Sequence, residues 1–105
     1  MNTHEILTKA YHLLDDKWRW TQGRLARDSK GVGVAYSSDE AVCFCAYGAL
    51  HKASIGQSNS EKWDAFDALE LATTDMYGEL VAITNDELGY RQIRAAFRRA
   101  IKETG

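Results

Sequence analysis

The sequence predicts a single mainly α domain, on the α+β borderline, with about four helices around a buried central helix and a short β-hairpin or irregular arm after the first helix. Three observations carry this. Helix-start patterns of Ser, Thr or Asn followed three residues later by Glu occur at Asn2/Glu5, Ser37/Glu40, Ser58/Glu61 and Thr84/Glu87. The ten residues Ala41-Val-Cys-Phe-Cys-Ala-Tyr-Gly-Ala-Leu50 form one apolar run. Between Lys17 and Tyr36 the helical period disappears. With 105 residues, 45% hydrophobic and 27% charged, the chain is large enough for one core and far from the composition of a disordered segment. Residues 1–105 read as one domain, because no proline, low-complexity tract or internal repeat marks a boundary.

Taken in order, Ile6, Leu7, Ala10, Leu13 and Leu14 follow Asn2 at helical spacing, which predicts an amphipathic helix from Thr3 to about Asp16. Asp28-Ser-Lys-Gly31 is a turn signal between Trp18–Gln22 and Val32–Tyr36, hence the hairpin or arm. After Ser37/Glu40, Ala41–Ala53 is apolar on nearly every side until Gly56, the pattern of a buried central helix. Ser58/Glu61 opens a third helix reaching Tyr77, where Gly78 interrupts it. Trp63, Phe66, Leu69, Thr73, Met76, Tyr77 and Leu80 gather on one side of it, with Glu70 and Leu71 as exceptions. Leu80–Ile83 is too short to assign. The last helix follows Thr84–Glu87 and holds Ile93, Ala96, Phe97, Ala100 and Ile101 inward.

Length and composition also remove function classes. The longest apolar run is about half of the ~20 residues a membrane span needs, so no membrane role is expected. The N-terminus has no secretory-signal pattern, and Cys43 and Cys45 cannot be bridged to each other on a helix, so free thiols and a cytoplasmic setting are expected. No phosphate loop or metalloprotease pattern occurs, and Cys43-x-Cys45 with the scattered His4, His12 and His51 lacks zinc spacing. No metal or cofactor is expected.

At Trp20-Thr-Gln-Gly23, Ala26-Arg-Asp28, Gly31, Cys45-Ala-Tyr-Gly-Ala-Leu50 and Asn85-Asp86, the chain resembles an uncharacterised family of small bacterial and phage proteins, a domain of unknown function. The resemblance spans most of the chain and implies one domain, without an activity. Structural roles suit these positions: Trp20 covering the central helix, Gly48 and Ala49 admitting another backbone, Cys45 a small buried group, and Asn85 or Asp86 capping the last helix.

Charge is uneven although the net charge is only −2. Residues 1–58 carry +1, residues 59–88 carry −7 and residues 89–105 carry +4. The acidic block places Glu61, Asp64, Asp67, Asp75 and Glu79 on one arc of the third helix, suited to a basic surface on a protein partner. The basic block places Arg91, Arg94, Arg98, Arg99 and Lys102 on the outer arc of the last helix. Together with Lys17, Trp18, Arg19, Arg24, Arg27 and Lys30 of the arm, these could contact phosphates and stack on bases. Adjacent blocks of opposite sign also fit internal pairing of the two helices.

The leading expectation is a non-enzymatic protein-interaction module, in its most concrete form an accessory or phage-type inhibitor that engages a nucleic-acid-handling machine through the acidic helix. Its partner is unidentified, and a homo-oligomer stays open. Direct nucleic-acid binding is the alternative, opposed by a pI near 5.9. A cysteine-dependent enzyme with Cys43 or Cys45 as thiolate, His51 as base and Asn85 or Asp86 as orienter ranks third, because thiols inside an apolar helix are core rather than nucleophiles. No catalytic residue is assigned.

Overall fold

A computed structural model describes all 105 residues. Its elements are α1 (Thr3–Leu13), β1 (Ala26–Arg27), β2 (Cys43–Phe44), α2 (Ala46–Ala53), α3 (Asn59–Tyr77), α4 (Val81–Ile83) and α5 (Tyr90–Thr104). A single 3-10 turn at Lys17–Arg19 follows α1, and a π-turn at Thr84–Leu88 links α4 to α5. The fold is mainly α, with a two-stranded antiparallel sheet that pairs Ala26 with Phe44 and Arg27 with Cys43.

Helix α1 begins where its capping box requires: the Asn2 side chain accepts from Glu5 N, and the Glu5 side chain accepts from Asn2 N. It ends about one turn before Asp16, because Leu14 closes it and the chain turns away. Its buried residues Ile6, Leu7 and Ala10 face α2, α3 and α5, so α1 touches every other long helix. Helix α3 starts as expected at Ser58, whose hydroxyl accepts from Glu61 N, and stops at Gly78, which takes the left-handed φ of +71° that a side chain would disfavour. It packs along α5 through Leu69, Phe97, Ile93 and Ala96, all with no solvent exposure.

The expected helix over Ala41–Ala53 is corrected. Ser38 rather than Ser37 makes the local bond, its hydroxyl accepting from Glu40 N within a turn. The next residues are extended: Val42 N donates to Arg27 O and Cys45 N donates to Leu25 O. Pairing with the arm thus consumes the backbone groups a helix would have needed, and β-favouring Val42, Cys43 and Phe44 suit an extended chain. Helix α2 starts only after Cys45, burying Ala46, Gly48, Ala49, Leu50 and Ala53.

The arm carries the expected turn, with Gly31 N donating to Asp28 O and Asp28 N to Val32 O. A short hairpin follows α1 as expected, but Ala26–Asp28 rather than Trp18–Gln22 forms its first arm: Val34 N donates to Ala26 O, Arg27 bridges Gly33, and β1 also pairs with β2. The box at Thr84/Glu87 is also corrected: Thr84, at the start of the π-turn, donates its hydroxyl to Leu80 O, and α5 starts at Tyr90 after Gly89 with no side-chain cap.

Candidate functional site

Most of the residues that carry the resemblance meet where the arm docks onto the helices. Asn85, almost fully buried, sits at the centre. Its side-chain oxygen accepts from the Trp20 indole N–H at 2.8 Å and from Ala46 N, the first residue of α2, at 3.0 Å. Its amide nitrogen donates to Thr21 O and to the Asp86 carboxylate. Gln22 donates to the carbonyls of Asn85 and Asp86, and Gly23 N donates to the Asp86 carboxylate. Arg27 ties the arm to itself through Thr21 Oγ1, Gln22 O and Gly31 O. Asn85 and Asp86 therefore do not cap the last helix, a correction with a clear cause: the π-turn aims Asn85 at the start of α2, where an orphan N–H needs an acceptor.

Gly48 completes this docking. A Cβ placed on it would stand 1.8 Å from the carbonyl oxygen of Leu25, so only glycine lets the arm lie against α2. Cys45 is the N-cap of α2, its sulfur accepting from Gly48 N at 3.3 Å. Beside it is a cleft of about 230 Å³ lined by Cys45, Tyr47, Arg24, Val81, Asn85 and Asp86 among others.

A cysteine at a helix N-terminus beside a cleft is a better candidate nucleophile than one inside an apolar helix. Burial raises the Cys45 pKa, outweighing the lowering by the Gly48 and Tyr47 N–H groups, and the Asp86 carboxylate raises it further. Cys45, Asn85 and Asp86 come together, but His51 does not line the cleft. Its ring stacks on Tyr36 at 4.8 Å and meets Phe66 edge-on at 4.9 Å. Burial, with Lys62 nearby, lowers its pKa. The expected result in a thiol-labelling time course is that the half-buried Cys43 reacts first and Cys45 reacts only on unfolding. Rapid labelling of native Cys45 would restore it as a candidate nucleophile. No three of His, Cys, Asp and Glu lie close enough to hold a metal ion.

The acidic set is redistributed by the observed burial. Asp64, Asp67 and Asp75 are exposed on α3, whereas Glu61 is half-buried and Glu79 lies in the exposed segment beyond the Gly78 stop. Leu71, 66% exposed, stands between the aspartates, and Trp63, expected with the apolar side of the helix, instead lies at their edge, 51% exposed. At about 100° per residue, Trp63, Asp64, Asp67 and Leu71 share roughly 100° of the helix surface. Glu70, which broke the pattern in sequence, points inward: it accepts the Tyr47 hydroxyl and the N–H of Val81, joining α2, α3 and α4. Burial and the Glu70 carboxylate accordingly raise the Tyr47 pKa.

The basic set divides. Arg94 donates to the carbonyls of Tyr11 and Leu14 at the end of α1, Arg27 is spent within the arm, and Arg99 pairs with Asp75 and Glu103. Arg24, Arg91, Arg98 and Lys102 are exposed, and Trp18 is 89% exposed on the 3-10 turn. Beyond their apolar packing, the acidic and basic helices are thus joined by a single ion pair, Asp75 with Arg99.

No helix is long and apolar enough to cross a membrane. No curated protein and no solved structure matches the chain. Residues 1–103 match the model of DUF6197, a family of unknown function. The chain belongs to that family.

Proposed function

We propose that this protein is a non-enzymatic interaction module that presents the outer face of α3 to a basic surface of a partner protein. The supporting observation is the exposed stripe of Trp63, Asp64, Asp67 and Leu71, in which Asp64 and Asp67 make no ion pair within the chain; the basic groups near it are Lys62, over the Trp63 ring at 5.1 Å, and Arg99, paired with Asp75 at the edge. Exposed apolar side chains beside charges are an arrangement in which the charges steer association and the desolvated side chains hold it. The docking network around Asn85 supports the same reading from the other side, because its polar groups are spent on one another. Its concrete form is a cytoplasmic accessory protein or phage-type inhibitor, with the aspartate row standing in for phosphates on a nucleic-acid-handling machine.

Affinity capture from the native host tests this with three baits: wild type, Asp64→Lys/Asp67→Lys, and Arg91→Ala/Arg98→Ala. The expected result is a partner that wild type retains at low salt, loses as salt rises, and that the aspartate variant alone fails to retain. Identical partners for wild type and the aspartate variant would remove the α3 face. The alternative of direct nucleic-acid binding has less support than in sequence, since Arg27 and Arg99 are engaged internally.

A further inference from the structure

A second surface, independent of α3, has the chemistry of a ligand site. Along α5, Arg91, Arg94 and Arg98 line a cleft of about 370 Å³ together with Tyr77 and Tyr90, and no carboxylate lines it. That volume lies within the roughly 300–1,000 Å³ range of small-molecule sites. We propose that this cleft binds a small ligand carrying both a phosphate group and a planar ring, of the nucleoside monophosphate class.

The residue positions explain the charge: spacings of three and four bring the three arginines onto one face of α5. Two of them are held before any ligand arrives. Arg94 Nη1 donates to Tyr11 O at 2.9 Å and Leu14 O at 3.2 Å, and its guanidinium lies 3.7 Å from the centre of the Tyr11 ring. Arg98 Nη1 donates to the Tyr11 hydroxyl at 3.2 Å. Each bond uses one nitrogen, so Nε and the second Nη of both groups keep their donors, and Arg91 has all of its own. Fixed guanidinium groups lose less freedom on binding and suit the oxygens of a phosphate.

The tyrosines supply the second half of the recognition. Tyr77 donates its hydroxyl to Gln92 O and Tyr90 donates its hydroxyl to Leu14 O, so each ring is anchored by its polar tip. Tyr90 also packs against Trp20, with ring centroids 5.6 Å apart, and lies 5.9 Å from the Arg94 guanidinium, so both tyrosines line the cleft as fixed aromatic groups to which a planar ring and the arginine planes can add. Asp16 and Asp15, just beyond the end of α1, act on Tyr90, but neither lines the cleft. The finite cleft favours a small ligand over a continuous strand, because Arg24, Arg27 and Trp18 belong to the arm and do not line it.

The test is amide chemical-shift titration of the whole chain with adenosine monophosphate, adenosine, inorganic phosphate and a ten-residue oligothymidylate. Adenosine monophosphate is expected to shift the amides of Tyr90 to Arg98 and to bind about tenfold more tightly than adenosine or phosphate alone. Arg91→Ala/Arg98→Ala, at exposed positions that leave the Arg94 cap in place, is expected to weaken binding by about tenfold with an unchanged unfolding transition. Lys30→Ala, in the arm, should leave it unaltered. Shifts absent up to millimolar ligand, or unaffected by the double substitution, would overturn the proposal. So would tighter binding of the oligothymidylate with shifts running into Trp18, Arg24 and Lys30, which would make this a single-stranded nucleic-acid surface.

Discussion

Gly48→Ala is expected to destabilise the protein by about 3 kcal/mol, although glycine to alanine within a helix ordinarily gains about 1 kcal/mol. The sign reverses because the added methyl would stand 1.8 Å from the Leu25 carbonyl oxygen, a backbone atom that no rotamer change can move. That carbonyl also accepts from Cys45 N, so pushing it away strains the pairing that holds the arm beside β2. For a domain of this size each kcal/mol lowers Tm by roughly 4–8 °C, so thermal unfolding should move down by more than about 10 °C. An unchanged or raised Tm would mean that the arm does not lie against α2 as described.

Asn85→Ala carries an effect of similar size for a different reason. It removes the acceptor of the Trp20 indole N–H and of Ala46 N, and the donor to Thr21 O, in a residue only 2% exposed. Leaving buried polar groups unpaired costs about 1–3 kcal/mol each, so a total near 3 kcal/mol is expected by denaturant unfolding. Asn85→Asp separates the roles of the two side-chain atoms. It keeps the acceptor but sets a carboxylate where the amide had met the Asp86 carboxylate at 2.9 Å. Repulsion and burial raise the pKa of such a carboxylate above its unfolded value, so the protonated form is the one the fold prefers. The variant's deficit at pH 7 should therefore shrink on acidification relative to wild type. A deficit that does not change with pH would argue against the close approach of residues 85 and 86.

What the sequence reveals here is what its neighbours in sequence decide. The boxes at Asn2/Glu5 and Ser58/Glu61 set helix starts correctly because both partners lie within one turn of chain. The inward faces of α3 and α5 were legible in Leu69, Ile93 and Phe97, since burial follows the helical period when one face meets a core. The same box pattern misleads at Ser37/Glu40 and Thr84/Glu87, where distant partners take the backbone. At the first, Leu25 and Arg27 accept from Cys45 and Val42, and at the second a π-turn forms instead. The start of α2 was hidden for that reason, its first N–H being received by a residue 39 positions away.

The candidate surfaces show the same division. Asp64 and Asp67 could be placed outward from periodicity alone, whereas the departure of Glu61 and Glu79 from the stripe follows from how deeply α3 sits and where Gly78 ends it. The arginine face looked uniform in sequence, yet Arg94 is anchored at the end of α1 and Arg99 is spent on an ion pair. Glu70 was the visible clue to a hidden bond: a lone acid on the apolar side of a helix, which proves to join Tyr47 and Val81. Cys45 and Asn85 were marked by the resemblance, but their mutual placement depends on the arm's path and could not be read locally.

The central claim is that the Asn85 network builds the fold while α3 meets the partner, and the most direct measurement is the amide-shift footprint of the captured partner on the labelled chain. The account predicts shifts concentrated at Trp63, Asp64, Asp67, Leu71 and Asp75, with the residues around Asn85 unaltered. A footprint centred instead on Gly23, Cys45 and Ala82 would contradict it, placing binding in the cleft beside Asn85 and leaving the acidic stripe as solvated surface.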